Sequence, residues 1–220
     1  MNLKRKHPTA IVWTHWINFP LLFVMIWSGL LIYWANDVYR IGFGDFTLIK
    51  FFPEWFYNLF KIDGRLAEGM AWHFLIMWFF ALNGLIYFFY LIFSKEWRFF
   101  IPNKESLKKI PQVIKYDLGL TKEEPHFEKF NPLQQIAYLT IIIMGALSIL
   151  TGIAIYKPVQ FSFITTLLGG YEWARFEHFW LTIGYLLFFI IHVTQVIKAG
   201  FNNFLGMLTG YEIEKKNYDL

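Results

Sequence analysis

Four stretches of the chain are apolar for long enough to cross a bilayer: about 11–35, 70–93, 133–156 and 175–199. A helix needs roughly 20 apolar residues to match the hydrocarbon thickness, so each predicts one spanning helix. Little chain is left for anything but loops. The pattern therefore predicts one all-α domain over 1–220, a four-helix transmembrane bundle. The first run follows a basic lead, but it is too long for a cleaved signal peptide and lacks a small-residue cleavage pattern before Asn36 and Asp37. The third run has a clear start: Asn131 can cap the helix and Pro132 occupies its first position. In the connection 36–69 lies TLIKFFPEWFYNLF, apolar but broken by Pro53. It predicts an interfacial helix on the outer surface, or a docking surface for a partner. The connection 94–130 is charged, carries Pro102, Pro111 and Pro125, and holds one weak amphipathic segment at about 104–118. The tail 200–220 reads as polar.

Composition agrees with the pattern. The chain is 56% hydrophobic, 22% aromatic and only 16% charged, which is the make-up of a membrane protein. It has no cysteine, which excludes disulfides, cysteine-ligated iron–sulfur clusters and covalently attached haem. The net charge of +4 does not mark a nucleic-acid binder, because the basic residues gather at one membrane face. Lys4, Arg5 and Lys6, the basic residues of the 94–130 connection, and Lys198, Lys215 and Lys216 share one side. Only Arg40, Lys50, Lys61, Arg65, Lys157 and Arg175 lie on the other. The positive-inside rule places both termini in the cytoplasm of a cell inner membrane protein.

Histidine spacing changes the picture most. His178 and His192 lie fourteen residues apart in the fourth run. At about 100° per residue both leave one helix face, and at ~1.5 Å per residue they stand ~21 Å apart. A titratable ring in hydrocarbon is costly, so two in register imply a reason beyond packing. His15 on the first span shares the cytoplasmic half with His192, and His73 on the second shares the outer half with His178. The depths pair as His73 with His178 and His15 with His192. Two such levels suit two b haems, each with histidine on both axial sites. The competing reading is that each ring hydrogen-bonds a neighbouring helix. His7 and His126 fall in water. Haem propionates require cations near the surface: Arg175, three residues before His178, is first and Arg65 second, each otherwise a headgroup contact. Small residues, Ser28 with Gly29 and Gly145 with Ser148 and Gly152, leave room for a helix or a flat ligand. Asn83 suits a cross-helix hydrogen bond.

Several of these residues resemble a known family. His15-Trp16 followed by Ser28-Gly29, His73 opening the second span, Asn131-x-x-Gln134 opening the third and the His178/His192 spacing are similar to the bacterial cytochrome b561 type. This type includes the membrane cytochrome b subunits of nickel–iron hydrogenase, formate dehydrogenase (gamma subunit) and thiosulfate reductase. The resemblance covers about residues 5–200. It implies a membrane-anchoring electron-transfer subunit of a respiratory oxidoreductase complex, with two haem b groups. His73 and His178 would bind the outer haem, His15 and His192 the inner one. It implies a quinone substrate, menaquinone or ubiquinone, near Asn131, Gln134 and His192. The partner would be a periplasmic hydrogenase, molybdenum oxidoreductase or cytochrome. Phe130 before Asn131 and Pro132-Leu133 after it depart from the commonest family pattern. A six-span ferric-reductase or cytochrome b/b6 arrangement needs a spaced histidine pair on two spans, and only one span has it. A haem-free membrane anchor or small transporter subunit is the alternative of another class.

Overall fold

The computed structural model describes residues 3–43, 46–123, 125–127 and 129–213. In chain order its elements are β1 (Leu3–Arg5), α1 (Thr9–Tyr33), β2 (Arg40–Phe43), β3 (Phe46–Lys50), α2 (Glu54–Phe60) and α3 (Leu66–Ser94). Then come α4 (Lys104–Lys108), α5 (Ile110–Asp117), α6 (Pro132–Tyr156), α7 (Ser162–Leu167), α8 (Tyr171–Ala199), α9 (Phe201–Thr209) and β4 (Tyr211–Ile213). Among the described residues four helices, α1, α3, α6 and α8, are long and apolar enough to cross a membrane. They cover the four predicted stretches and begin one to four residues earlier, since helical geometry continues into the polar flanks. The contacts divide the chain into two compact units, residues 1–87 with 206–220, and residues 88–205.

In the first unit the two ends of the chain meet. β1 and β4 pair antiparallel with Leu3 opposite Ile213 and Arg5 opposite Tyr211. Lys6 Nζ and Glu212 Oε2 stand 2.6 Å apart, and Trp16 Nε1 donates to the Met207 carbonyl at 2.9 Å. The tail is therefore not a polar extension up to Ile213: Phe201–Thr209 is helical and Tyr211–Ile213 is a strand. Lys215 and Lys216 lie outside the described residues. α1 runs unbroken through Pro20. It packs antiparallel on α3 through small and polar residues. Asn83 Nδ2, predicted to bond across helices, donates to the Thr14 carbonyl at 3.0 Å. At the other end of the pair Gly69 lies so close to α1 that a Cβ on it would stand 2.6 Å from Leu31 Cβ and 3.0 Å from the Ser28 carbonyl.

The connection between α1 and α3 differs from the single interfacial helix expected of it. Its first half forms the β2–β3 hairpin, as suits β-branched and aromatic residues such as Thr47 and Ile49. Gly42 is required there, since a Cβ would lie 2.0 Å from the Phe46 carbonyl oxygen. Only the part after Pro53, α2, is helical. Asp37 holds the two halves together: Lys50 Nζ lies 3.0 Å from its carboxylate and Tyr57 Oη donates to it at 3.1 Å. Burial, and then the Asp37 carboxylate, push the Tyr57 phenol well above its ordinary range. Leu48, Trp55 and Leu59 stay exposed on this segment.

The second unit is built on the antiparallel α6–α8 pair. α6 begins with a full capping box: Gln134 N–H donates to Asn131 Oδ1 at 2.9 Å and Asn131 N–H to Gln134 Oε1 at 3.1 Å. The amphipathic segment about 104–118 is two helices. Asn103 caps α4, accepting from Ser106 N–H at 2.7 Å, and Pro111 sits in the first turn of α5, where it costs no hydrogen bond. α5 is tied to the end of α8 by Lys198 Nζ, which donates to the Asp117 carbonyl at 2.8 Å. The Thr165 hydroxyl of α7 donates to the Ala154 carbonyl of α6 at 3.4 Å.

The closeness of α1 and α3 at Gly69 gives a test. Overpacking of this kind costs about 1–3 kcal/mol, so Gly69→Ala is expected to lower the thermal midpoint in detergent. Met70→Ala, a change at an exposed neighbour, should leave it nearly unchanged.

Candidate functional site

The four intramembrane histidines fall two to each unit, His15 and His73 in the first, His178 and His192 in the second. In each unit one of them is engaged in the same way. His73 Nδ1 lies 3.0 Å from Ser28 Oγ, and His178 Nδ1 lies 2.8 Å from Thr151 Oγ1. Ser28 and Thr151 are almost fully buried. Both hydroxyls also donate to the carbonyl four residues back, Ser28 to Val24 and Thr151 to Leu147, each at 2.7 Å. In both cases a glycine follows the hydroxyl residue. A Cβ on Gly29 would stand 3.6 Å from His73 Cε1, and one on Gly152 would stand 3.6 Å from His178 Cε1. At Gly145, one heptad before Gly152, a Cβ would meet nothing within 4 Å. The stripe of small residues on α6 thus borders an imidazole at one end and open space further along.

Tyr185 lies halfway between His178 and His192 on the same face of α8. It is buried, and its hydroxyl stands 3.2 Å from Ser148 Oγ. His192 stacks on Phe188 with ring centroids 5.7 Å apart. His15 meets Trp16 edge to face at 5.3 Å. His126 is exposed, as its position in a polar connection suggests.

The two arginines differ. All three guanidinium nitrogens of Arg65 are engaged, Nε and Nη2 with the Glu68 carboxylate at 2.7 and 2.6 Å and Nη1 with the Lys61 carbonyl at 3.1 Å. Its guanidinium also lies over Trp27. Arg175 forms a looser ion pair with Glu172, at 3.3 Å, and lies over Tyr171.

Asn131 and Gln134 come together, but through the capping box, which uses both side-chain oxygens. The amide beside them is Gln135. Its Nε2 donates to the Phe99 carbonyl at 2.8 Å, and its Oε1 is buried with no partner among the described residues. Gln135 borders a cleft of about 270 Å³ lined also by Phe99, Asn103, Lys109, Lys129 and Phe130. Thr151 and Gln135 are the residues that spacing alone does not single out. The signal for Thr151 was present: a hydroxyl residue directly before a glycine, once on each span that faces a histidine.

Comparison with known proteins decides what this arrangement belongs to. The family model for prokaryotic cytochrome b561 matches residues 6–210. The chain belongs to the prokaryotic cytochrome b561 family. It is a multi-pass membrane haem subunit of that type. A relative from Azospira oryzae, provisionally named protein-methionine-sulfoxide reductase subunit YedZ1, is 34% identical over 206 residues, 93% of this chain and 96% of the relative.

The residues fit a haem. Porphyrin nitrogens supply four ligands, so the protein needs to add only axial ones, for which neutral imidazole is suited. Among the described residues no three His, Cys, Asp or Glu side chains gather as a site for a bare metal ion. His73 and His178 each meet a hydroxyl at Nδ1, which makes Nε2 the ring nitrogen that would serve a metal. The glycines beside both rings set bare backbone against Cε1. A single Cβ at these glycines makes ordinary contact with the imidazole, whereas a branched side chain does not fit beside it. Gly29→Leu and Gly152→Leu are therefore expected to lower haem content severalfold, read as haem absorbance per purified chain. Gly29→Ala and Gly152→Ala should retain most of it.

Proposed function

We propose that the chain is a di-haem cytochrome b subunit that moves electrons between the quinone pool, near the cytoplasmic side of the inner membrane, and a periplasmic oxidoreductase. The observation that carries this reading is the matched pair of hydroxyl-bonded imidazoles, His73 with Ser28 and His178 with Thr151, in a chain of this family. Bound haem supplies one-electron chemistry, with iron alternating between ferric and ferrous states. The residues that hold the two groups are His73 and His178 for the outer one and His15 and His192 for the inner one. That pairing rests on the depths read from the sequence. Both ends of the chain on one side is supported by the β1–β4 pairing and by the even number of spans. Arg175 is the first partner for an outer propionate, since it lies three residues before His178 and its ion pair with Glu172 is long, at 3.3 Å. Arg65 would have to leave Glu68 to take that part.

The quinone site belongs at the start of α6. Because the capping box occupies the oxygens of Asn131 and Gln134, what they can offer a quinone carbonyl is amide N–H. Gln135 Oε1 is a buried acceptor, suited to the O–H of a quinol. Phe99 and Phe130 give the neighbouring cleft apolar walls. The relative's name also suggests the kind of partner and with it the direction. Reducing a methionine sulfoxide consumes two electrons and two protons and releases water; quinol oxidation supplies the two electrons, and the protons come from water on the reductase's own side. Electrons would then run from quinol to a periplasmic reductase. The exposed apolar residues of the outer hairpin and α2, Leu48, Trp55 and Leu59 among them, suit the docking of such a partner.

Purified protein should be red, with about two b haems per chain by absorbance, and a quinol analogue should reduce them. His73→Ala and His178→Ala should remove the same haem signal and spare the other, while His15→Ala and His192→Ala remove the second. A colourless purified chain, or variants that lose both haems alike, would refute the assignment.

A further inference from the structure

The two hydroxyls do more than fill a hydrogen-bonding need. Between Ser28 Oγ and the Val24 carbonyl, and between Thr151 Oγ1 and the Leu147 carbonyl, the separation is 2.7 Å. Two oxygens sit that close only with a proton between them. A carbonyl has none, so the hydroxyl's single proton is committed to the backbone. Each hydroxyl also has a longer approach to the carbonyl three residues back, Met25 at 3.2 Å and Ser148 at 3.3 Å, which again can only accept. The imidazole on the far side of each oxygen must then be the donor. Nδ1 carries the proton in His73 and in His178, and Nε2 carries the lone pair. The opposite tautomer would set an unprotonated ring nitrogen 3.0 or 2.8 Å from an oxygen whose proton points elsewhere.

On this basis, and resting on the haem ligation above, we propose that Ser28 and Thr151 are positioning residues for the outer haem. They set the histidine tautomer and raise the donor strength of both axial imidazoles. An imidazole that donates Nδ1–H to a firm acceptor gains partial imidazolate character, binds ferric iron more strongly and lowers the reduction potential. Both ligands of one haem share this device, with the Met25 backbone as a further hydrogen-bond partner of His73, and each hydroxyl is itself fixed by a helix backbone. Gly29 and Gly152 follow the hydroxyls directly and lie against Cε1 of the same rings. Hydroxyl and glycine together therefore define both the face and the edge of each imidazole. The two bonds would thereby lower the potential of the outer haem relative to the same haem without them.

The test is a redox titration of the purified, haem-loaded full chain, followed in the α-band, with the low-temperature electron paramagnetic resonance of the ferric form as a second readout. Ser28→Ala and Thr151→Val are each expected to raise the midpoint potential of one and the same haem and to shift its g-values, with the other haem unmoved. Thr151→Ser and Ser28→Thr, which keep the hydroxyl, should stay at the wild-type potential. If an alanine or valine variant loses its haem while its hydroxyl-retaining partner keeps it, the positioning role is supported. No shift in either variant, or an equal shift in Thr151→Ser and Thr151→Val, overturns the proposal. Shifts that fall on two different haems would support the hydroxyl role and refute the pairing of His73 with His178. Retention of both haems in His73→Ala and His178→Ala would refute the ligation itself.

Discussion

An imidazole inside hydrocarbon has two nitrogens to satisfy and no water to do it. The chain meets this constraint with a hydroxyl on the neighbouring helix, itself anchored to a backbone carbonyl: Ser28 for His73 and Thr151 for His178. In a low-dielectric setting such a bond is stronger than in water, and leaving it unmade is costly. The rest of each helix pair serves this contact. α1 and α3 come close at Gly69, four residues before His73, and α6 and α8 are pinned again at Ser148 and Tyr185, one turn from Thr151 and two from His178. Helices in a bilayer gain little from burying apolar side chains against one another. Small residues and a few polar bonds therefore carry the packing, and Phe23, Leu82 and Ile190 face outward as lipid-contacting residues would.

The same arrangement arises twice from different stretches of sequence. Ser28-Gly29 with His73 and Thr151-Gly152 with His178 are separated by unequal lengths of chain, yet each places a donor-fixed oxygen at Nδ1 and a bare backbone at Cε1. Family membership says that the chain's metal is haem iron.

Outside the spans the chain is organised by caps and short pairings rather than by a core. The Asn131–Gln134 box starts α6, Asn103 starts α4 and Asp37 gathers the connection between α1 and α3. The capping box bears on function as well. By consuming the oxygens of Asn131 and Gln134 it leaves Gln135, one residue on, as the buried amide at the cleft.

The number of spans, their limits to within a few residues, the start of α6 and the helix that carries each histidine were legible in the sequence. Length against bilayer thickness, the Asn-Pro signal and the 100° step are local properties that no tertiary contact overrides. The β2–β3 hairpin and the helical tail were not, because apolar residues broken by proline or glycine suit a strand, a helix or an interface equally until a partner appears. Gly42 against Phe46 chose the hairpin, and pairing with β1 chose the strand at Tyr211–Ile213. Thr151 was marked only by the glycine that follows it, and its partner was not legible. A threonine in a spanning helix bonds its own backbone in any case, and only the approach of α8 turns its second lone pair toward His178. A hydrogen bond between residues far apart in the chain depends on which helices meet, and that is decided by packing.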